Sequence, residues 1–559
     1  MDIALNLLID AAAVEKLQRH PLLRDYATAR PPEQLPLSTA ERALSESLEP
    51  ALQRPLVQAH ARPQVSPQAE PQTVLYFDTP ALQIHQAHGY LCVSRVGEQW
   101  QQSLKTDRRA AHRQEWTTLL SGPQPDLASL REQVGDQQPW HALLSTLDAQ
   151  HNLQALFHTQ LSRQVWALLL PGDDEVRASL EQGELTQGEQ RLPFNTLTLE
   201  LLSGHPKCLF ELALALLKSV PLQLDWRSPP ERGYALLAAP QAVKAKPLGL
   251  LPSMNVEQAF QAVVHNCLAQ IQANEADVAH GQAPESLHQL RVGLRRLRSA
   301  LRLFEKVVPC PTELHKQLDA LASALGPARD WDVLLDSTLP WLTNSSNAQP
   351  IDALRQLAQQ HAQRHQLAAS ARINAPRYSR LMLNFGAWVE GAGWRESPQA
   401  DLDQLNTGLP RFAKKSLDKA QKRLQTRGKG LTDADPAARH RVRIAAKKMR
   451  YAAEFLQALY PKKAMAAYVR ALTKLQDELG QLNDAAVAEE LLRDVQSELQ
   501  GPPPGTRSSE QADAPGEHRH LSESLSFVRG CLNARQQCDV RNLRKPWKKW
   551  RALAKPWRT

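Results

Sequence analysis

Two stretches of the sequence carry the same pattern of histidine and cationic residues. Residues 288–298 read HQLRVGLRRLR, and residues 440–450 read HRVRIAAKKMR. In each, an arginine follows the histidine by three residues, a basic pair by seven and eight, and a second arginine by ten. This spacing predicts an internal duplication. The matching residues are His288, Arg291, Arg295, Arg296 and Arg298 in the first copy, and His440, Arg443, Lys447, Lys448 and Arg450 in the second.

Residues spaced by three and four lie on one face of an α-helix. The first copy therefore predicts a cationic stripe that continues to Arg302, beside a separate stripe of leucines. Burying an unpaired guanidinium costs several kcal/mol, so this stripe must face water, carboxylates or an anionic ligand. Its length of about 21 Å, at about 1.5 Å per residue, suits an extended polyanion. The alternative is a solvated helix face relieved by nearby carboxylates.

The duplication favours a single anion site built from both copies. A third basic segment, residues 411–423, places Lys415, Lys419 and Lys422 near one face and is expected to line the same channel. Each repeated histidine has an arginine, and no metal ligand, three residues on. We therefore predict no metal site at these histidines.

A second pair of motifs follows the basic helices. Residues 325–330 read LGPARD and residues 479–484 read LGQLND. Asp330 and Asp484 are predicted to hold arginines of the basic face in place. The alternative is that each motif caps a helix after a glycine turn.

The elements that must position these residues differ along the chain. Residues 1–250 show alternating stretches, such as 73–77 and 197–201, and predict a mixed α and β half with antiparallel strands. From residue 256 onward the apolar spacing of three and four predicts helices, over 259–271, 287–304, 354–370 and 468–479. Residues 46–72 and 501–517 are predicted to be a mobile insertion and a disordered linker, and a last helix is expected from near Leu521.

The composition is that of a globular chain of several domains, with 42% hydrophobic and 22% charged residues and a formal net charge of +9. The six cysteines show no CxxC spacing, which argues against a disulfide framework. The first ten residues lack the basic start of a signal peptide, and no apolar stretch is long enough to span a bilayer. We expect a cytoplasmic protein with no membrane partner.

The helical half resembles the CHAD family, the conserved histidine α-helical domain. The resemblance rests on the two histidine helices, on residues 328–333 (ARDWDV), on 527–535 (FVRGCLNAR) and on the closing 555–558 (KPWR), and it covers about residues 255–559. It implies two four-helix bundles related by pseudo-two-fold symmetry around a basic groove that binds inorganic polyphosphate. The copies are not identical: Asn483 stands where the first copy has Arg329, and the linker at 501–517 is long.

The first half resembles the CYTH family, which includes triphosphate tunnel hydrolases, over roughly residues 1–240. The resemblance rests on residues 1–8, 75–80 (LYFDTP), 102–106 and 231–234. It implies an antiparallel β-tunnel, an α+β multidomain fold, and domains at 1–245 and 255–559, the latter ending in a basic tail at 541–559. The family's tunnel uses inward carboxylates to hold a divalent metal and inward cations to hold the triphosphate.

Several charged positions of that family are neutral in this chain. Asp2, Ala4 and Asn6 stand in place of its opening Glu-x-Glu-x-Lys motif, and Cys92 and Ser94 in place of two arginines. Two of three acidic positions in a later strand are Thr196 and Thr198, and Arg177 replaces a glutamate. The charged tunnel residues that remain are Lys105, Arg163 and Glu200. We expect little or no triphosphatase activity, with Mg²⁺ or Mn²⁺ required only if the tunnel is active.

The sequence thus predicts a non-catalytic protein that binds polyphosphate and associates with polyphosphate granules. One alternative is a metal-dependent inorganic triphosphatase with an accessory helical domain. Another is a nucleic-acid binder that grips bases with Trp547, Trp550 and Trp557, which lie among the cations of the tail. We favour docking of these tryptophans on the helical bundle.

Overall fold

The chain folds into two compact units. The computed structural model describes residues 4–24, 60–62, 72–96, 98–106, 114–136, 139–150, 152–237, 241–281, 283–343, 351–431, 435–500 and 515–558. The first unit comprises Met1–Pro240 with Ala375–Gly391, and the second Gln241–Asn374 with Ala392–Thr559. Most of the predicted insertion and linker lies outside the described residues. Within the described ranges, no helix has the length and apolar content that crossing a membrane requires.

One antiparallel sheet dominates the first unit, as the alternating stretches predict. Its strands are β1 (Ala4–Ile9), β2 (His60–Arg62), β3 (Gln72–Asp78), β4 (Gly89–Val96), β5 (Gln99–Thr106), β6 (Glu115–Leu120), β7 (Gln154–Leu170), β8 (Asp174–Gln187), β9 (Gln190–Ser203) and β10 (Leu222–Leu224). The order is β10-β1-β9-β8-β7-β3-β4-β5-β6, with β2 paired to β7. The turn at 187–189 joins β8 to β9, and Gly188 within it adopts a φ of 56°.

Twenty α-helices accompany the sheet within the described ranges. They are α1 (Ala11–Gln18), α2 (Pro21–Arg24), α3 (Gln83–Gln86), α4 (Leu127–Val134), α5 (Pro139–Gln150), α6 (Lys207–Leu217), α7 (Pro229–Leu237), α8 (Val256–His280), α9 (Pro284–Phe304), α10 (Thr312–Ala324), α11 (Gly326–Val333), α12 (Leu339–Thr343), α13 (Asp352–Asn374), α14 (Pro376–Glu390), α15 (Leu402–Leu405), α16 (Leu409–Arg427), α17 (Pro436–Leu456), α18 (Lys462–Gln500), α19 (Pro515–Asn542) and α20 (Arg544–Arg551). A π-helical turn, Leu334–Thr338, joins α11 to α12. The last long helix thus begins six residues before the predicted start at Leu521.

The alternation of side chains along a strand gives the sheet of the first unit two different faces. On β4, Leu91 and Val93 are fully buried in an apolar cluster with residues of α4 and α5, among them Leu130 and Leu144. The alternate residues Tyr90, Cys92 and Ser94 line a cavity on the other face. The cavity wall also contains residues of β1 and of β6, strands near opposite ends of the sheet, so the sheet must curve around it.

Helix α14 belongs to the first unit, although it lies in sequence between helices of the second. It packs on α6 so closely that a Cβ on Gly386 would lie 2.2 Å from Cε1 of Phe210. The Ser379 hydroxyl oxygen accepts a hydrogen bond from the backbone N–H of Leu224, at 2.9 Å. The domain boundaries predicted from the sequence assign this segment to the helical domain, and they remain predictions.

In the described ranges of the second unit the regular secondary structure is helical, apart from one isolated bridge between Asn255 and Gly408. Helices α8, α9, α16 and α17 contact one another in a ring, and so do α11, α13, α18 and α19. Each of these two groups of four therefore contains helices from both sequence copies. The duplicated helices α9 and α17 each have 21 residues and begin with Pro284 and Pro436, 152 positions apart. The register of the duplication seen in the sequence thus extends to the ends of the helices.

The two copies differ after these helices. In the first copy, α10 ends at Ala324 and α11 begins at Gly326. In the second copy, α18 runs unbroken for 39 residues through Gly480. Pro327 explains the break, because proline has no N–H to continue the hydrogen-bond ladder, whereas Gln481 stands at the corresponding place. Since Asp330 and Asp484 both lie inside helices, the alternative that they cap helices after glycine turns is wrong.

Candidate anion-binding site

The cationic faces of α9 and α17 meet beside α11. Arg291 and Arg295 project from α9, and Arg443 and Lys447 from α17; all four are partly buried. Arg295 lies near enough to interact with both Arg443 and Lys447. Arg329 of α11 completes a group of five cations, which we call the central cluster: Arg291, Arg295, Arg329, Arg443 and Lys447. The predicted convergence of the two copies is thereby found in the structure.

Three carboxylates accompany the central cluster: Asp330 and Asp484, which the sequence predicted, and Asp332, which interacts with Arg291 and Arg329. Burial raises the pKa of Asp330, the Arg291 guanidinium lowers it, and Asp484 raises it again. Asp484 in turn opposes the lowering of the Arg443 pKa that burial causes. Asp330 and Asp484 thus lie among the arginines that the sequence paired them with. Among the described residues, five cations nonetheless face three carboxylates here, and the surplus positive charge is partly removed from water.

The strongest effect of this surplus falls on Lys447. Burial, followed by the charges of Arg443 and Arg295, lowers the pKa of Lys447 to about 7, and Asp484 opposes the change only in part. Burial likewise lowers the pKa of Arg291. Both shifts have the sign expected when cations are desolvated beside other cations. An anion bound among these groups would reverse them.

Two guanidinium donors in the central cluster have no partner. Nε of Arg295 and Nε of Arg443 are buried and make no hydrogen bond to any described residue. By contrast, Nη1 of Arg291 donates to the Ala322 carbonyl oxygen at 3.3 Å. A buried donor without an acceptor costs about 1 to 3 kcal/mol, and more when the group is charged. Nothing among the described residues compensates the burial of these two charged donors.

The repeated histidines have different environments. His288 is partly buried, and burial, followed by the charge of Arg329, lowers its pKa to about 4. His440 is exposed. A neutral imidazole at His288 adds no charge to the central cluster but can still donate one hydrogen bond to an anion.

Three of the predicted cations have other roles. Arg296 is buried, and its Nη1 and Nη2 donate to the side-chain oxygens of Gln270, at 2.8 Å, and Asn266, at 2.7 Å. The prediction that Arg296 contacts an anion in the groove is therefore wrong, because its hydrogen bonds are made inside the bundle. Arg298 is paired with Asp319 of α10, and Arg450 with Glu454 at 2.7 Å.

A second group of cations lies where α9, α16 and α17 meet. Lys448 of α17 is partly buried and interacts with Arg302 of α9 and with Arg423 and Arg427 of α16. We call these four residues the lateral cluster. Burial first, and then the three arginines, lower the pKa of Lys448, while Glu305 opposes the shift.

The part played by α16 differs from the sequence-based expectation. The three lysines predicted to line the channel, Lys415, Lys419 and Lys422, are exposed, and no described contact joins them to either cluster. Arg423 and Arg427 are the cations of α16 that interact with Lys448 of α17, and the sequence prediction did not include Arg427. The spacing of four between these two arginines, at the end of the basic segment, was a usable signal.

The basic tail packs against the helical unit. Trp547, Trp550 and Trp557 are buried, with Trp550 only 1% exposed. Asp418 of α16 accepts hydrogen bonds from Trp557 Nε1 at 3.1 Å and from Lys555 Nζ at 3.3 Å. Docking of the tail tryptophans is thus confirmed, and their rings are not available to stack on nucleic-acid bases.

The first unit contains a cavity of about 540 Å³ inside its sheet. Its wall includes the positions at which the sequence lacks the expected charges: Ala4, Asn6, Cys92, Ser94 and Thr198. Two of these side chains bond to each other, since the Thr198 hydroxyl donates to Oδ1 of Asn6 at 3.1 Å. Hydrogen-bonded neutral side chains thus form a part of the cavity wall where the family resemblance implies charged groups.

The charges that remain around the cavity are paired. Lys105 Nζ lies 2.6 Å from Glu115, and Nε of Arg163 donates to Glu181 at 2.9 Å. Glu200 accepts a hydrogen bond from Arg177 at 3.0 Å. Each carboxylate beside the cavity is therefore occupied by a cation of the protein. No cluster of three or more metal-ligating side chains occurs among the described residues.

These donors do not fit a divalent cation. A metal such as Mg²⁺ needs several convergent oxygens that are free to coordinate it. Here the sequence replaces the acidic residues at Ala4, Thr196 and Thr198, and ion pairs hold Glu181 and Glu200.

Comparison with known proteins agrees with this division. The CYTH domain model matches residues 56–225, and the CHAD domain model matches residues 262–493. The CHAD domain of the plant Ricinus communis is 38% identical over 56% of this chain and 98% of that one, with a TM-score of 0.48. A sheet domain around a cavity thus precedes a duplicated helical domain. The chain therefore belongs to the CHAD family, and a CYTH domain precedes its CHAD domain.

Two further solved structures match part of the chain at low identity. PptA from Streptomyces chartreusis is 16% identical over 53% of this chain and 100% of that one, with a TM-score of 0.37. A putative adenylyl cyclase from Hippeastrum, HpAC1, described as having a dominant triphosphatase activity, is 14% identical over 43% of this chain and 98% of that one. Its TM-score is 0.26.

Proposed function

We propose that the CHAD domain binds inorganic polyphosphate at the central cluster and that the CYTH domain does not hydrolyse triphosphates. The observation that carries the first part is the pair of buried guanidinium donors without acceptors, Arg295 Nε and Arg443 Nε. One comes from each copy of the duplicated helix. An anion placed between the copies would accept from both.

The charge balance supports an anion of high charge density. Without a ligand, the five cations of the central cluster repel one another in a partly desolvated place, where Coulomb energies exceed those in water. A single carboxylate would offset little of this repulsion. A chain of linked phosphates carries about one negative charge per unit and can place successive oxygens along the stripe, which makes it the best chemical match among extended anions.

The absence of stacking groups favours polyphosphate over nucleic acid. Residues 287–303 and 440–450 contain no Phe, Tyr or Trp. Proteins that bind single strands without sequence preference usually stack bases on aromatic rings, and the tail tryptophans are buried. A site of this kind contacts phosphates and ignores bases.

The alternative function, a metal-dependent inorganic triphosphatase, has one supporting feature, the cavity in the CYTH domain. The charges around it argue against catalysis. A triphosphate needs surplus cations, whereas Lys105 and Arg163 are already neutralised by Glu115 and Glu181. Opening the pair with Arg163 would leave the buried carboxylate of Glu181 without a partner, which costs energy.

The proposal is tested by titrating the full-length protein with long-chain polyphosphate at several salt concentrations. Replacing Arg295 and Arg443 by Gln removes two charged donors and should weaken binding about a hundredfold, given about 1.5 to 3 kcal/mol for each hydrogen bond to a charged group. The matched control is Arg377→Gln with Arg380→Gln, which removes two exposed arginines of α14.

For the wild type, log affinity should fall steeply with log salt, and the slope should be shallower in the double variant, because fewer counterions are displaced. Equal affinities for the wild type and the Arg295 and Arg443 variant at the same salt would refute the proposal. A loss in the control variant as large as in the test variant would show that net charge alone drives binding.

Competition with single-stranded DNA tests the remaining alternative, a nucleic-acid-binding function. Polyphosphate has no sugar between its phosphates. It therefore places more phosphates than single-stranded DNA does along the roughly 21 Å of the stripe. It should displace bound DNA when present at a lower phosphate concentration than the DNA. Displacement in the opposite order would assign the site to nucleic acid.

Granule association is part of the same proposal. A fluorescent fusion of the full chain should colocalise with polyphosphate granules, and the Arg295 and Arg443 double variant should become diffuse. Colocalisation that survives in the variant would mean that another surface recruits the protein.

A further inference from the structure

We infer that the lateral cluster is a second phosphate subsite on the same path and that it makes the protein prefer long polyphosphate chains over short ones. This inference rests on the proposed function of the central cluster. It concerns Arg302, Lys448, Arg423 and Arg427, which reach one place from α9, α17 and α16.

The lateral cluster, like the central one, has more cations than carboxylates. Four cations meet, and the carboxylate that interacts with Lys448 is that of Glu305. The arginines are exposed, but Lys448 is partly buried among them. Nη1 of Arg427 lies 3.4 Å from the carbonyl oxygen of Arg441, a contact that holds Arg427 beside α17. Exposed arginines are readily hydrated, whereas the half-buried Lys448 gains from an added anion.

The two clusters are continuous. On α9, Arg295 and Arg302 are seven residues apart, so they share a face and are separated by about 10 Å along the axis. On α17, Lys447 belongs to the central cluster and its neighbour Lys448 to the lateral one. A polyanion that leaves the central cluster along α9 therefore meets the lateral cluster next.

Chain length follows from this spacing. A tripolyphosphate held by Arg295 and Arg443 has few phosphates left to extend two helical turns further. A long chain can occupy both clusters at once, and the second contact is then intramolecular with a high effective concentration. Long chains should consequently bind more tightly than their extra phosphates alone explain.

The test compares tripolyphosphate with long-chain polyphosphate by isothermal titration calorimetry of the full-length protein. The variant is Arg423→Gln with Arg427→Gln, and the matched control is Arg377→Gln with Arg380→Gln on α14. A long chain can bind at many positions along its length, which raises its apparent affinity for every form of the protein. The affinity of each variant is therefore expressed relative to that of the wild type for the same ligand. Circular dichroism confirms that each variant remains helical.

The expected result is an affinity for long-chain polyphosphate reduced about tenfold, a modest part of the gain that a second linked contact can give. Affinity for tripolyphosphate should remain within experimental error of the wild type. An unchanged affinity for the long chain, or an equal loss for both ligands, would overturn the inference. If neither ligand bound the wild type, the proposed function itself would fail, so the two failures are distinguishable.

Discussion

The two domains differ in how far carboxylates of the protein neutralise their positively charged residues. Around the CYTH cavity, Lys105, Arg163 and Arg177 are each paired with a carboxylate of the protein. In the CHAD domain, five cations of the central cluster share three aspartates, and two guanidinium nitrogens have no acceptor among the described residues. The comparison teaches that the presence of Lys and Arg does not define an anion site. What matters is whether the protein has already neutralised them.

The largest effect is expected from reversing the charge of the central cluster. Replacement of Arg291, Arg295, Arg443 and Lys447 by Glu should lower affinity for polyphosphate more than about a thousandfold, since four charged contacts are lost and repulsion is added. Calorimetry measures the affinity, and circular dichroism checks that helicity persists. A folded variant that binds like the wild type would mean that these side chains are merely solvated.

Catalysis should be absent from the CYTH domain. With Mg²⁺ or Mn²⁺, the purified protein should release negligible phosphate from tripolyphosphate, because the acidic residues that would hold a metal are replaced or paired. A phosphate-release assay checks this. Turnover on the order of 1 s⁻¹, within the ordinary range of enzymes, would contradict the contrast between the two domains.

Polyphosphate binding should depend on pH through Lys447. Its pKa is about 7 in the empty protein, and a bound anion favours the charged amine, so binding takes up a proton above that pH. Affinity should fall by up to about tenfold per unit as pH rises above 7. Lys447→Arg should remove most of this dependence, because arginine stays charged. An unaltered pH profile in this variant would assign the dependence to another group.

The same shift has a consequence for stability. The folded protein holds Lys447 at a lower pKa than the unfolded chain, so between about 7 and the ordinary value of 10.5 the unfolded chain binds more protons. The free energy of unfolding should therefore gain a contribution that rises with pH across that window. Chemical denaturation of the wild type and of Lys447→Met at several pH values measures it. A difference between them that does not change with pH would show that Lys447 stays charged.

The smallest effect on binding is expected at Arg296. Arg296→Gln removes the donors to Gln270 and Asn266 inside the bundle, so it should lower the free energy of unfolding by about 1 to 3 kcal/mol. Binding of polyphosphate should not change. Loss of affinity without loss of stability would show that Arg296 contacts polyphosphate in the groove.

Much of the fold follows from local patterns. Strand alternation and helix periodicity give the order of elements, and the 152-residue repeat gives the register of α9 and α17. The break between α10 and α11 also has a local cause in Pro327. The grouping of α8 and α9 with α16 and α17 does not, because it depends on contacts between segments far apart in the chain.

The site was only partly predictable for a related reason. Helical spacing places Arg291 and Arg295 correctly, but it cannot reveal that α8 supplies Asn266 and Gln270 to the neighbouring Arg296. Close packing brings these groups together: a Cβ on Gly293 would lie 2.8 Å from Cγ1 of Ile271. The pairing of Arg298 with Asp319 is likewise a tertiary contact. Sequence spacing identifies cations, and only packing determines their partners.

The central claim is that unpaired cations, and not the paired ones of the cavity, bind phosphate chains. Tripolyphosphate tests it most directly, because it is small enough for either place. Calorimetry at low salt would compare Arg291→Gln with Arg295→Gln in the central cluster against Lys105→Gln with Arg163→Gln at the cavity. The first double variant is expected to lose the binding heat, and the second is expected to retain the wild-type affinity. Loss of binding in the cavity variant, with affinity preserved in the central-cluster variant, would contradict the claim.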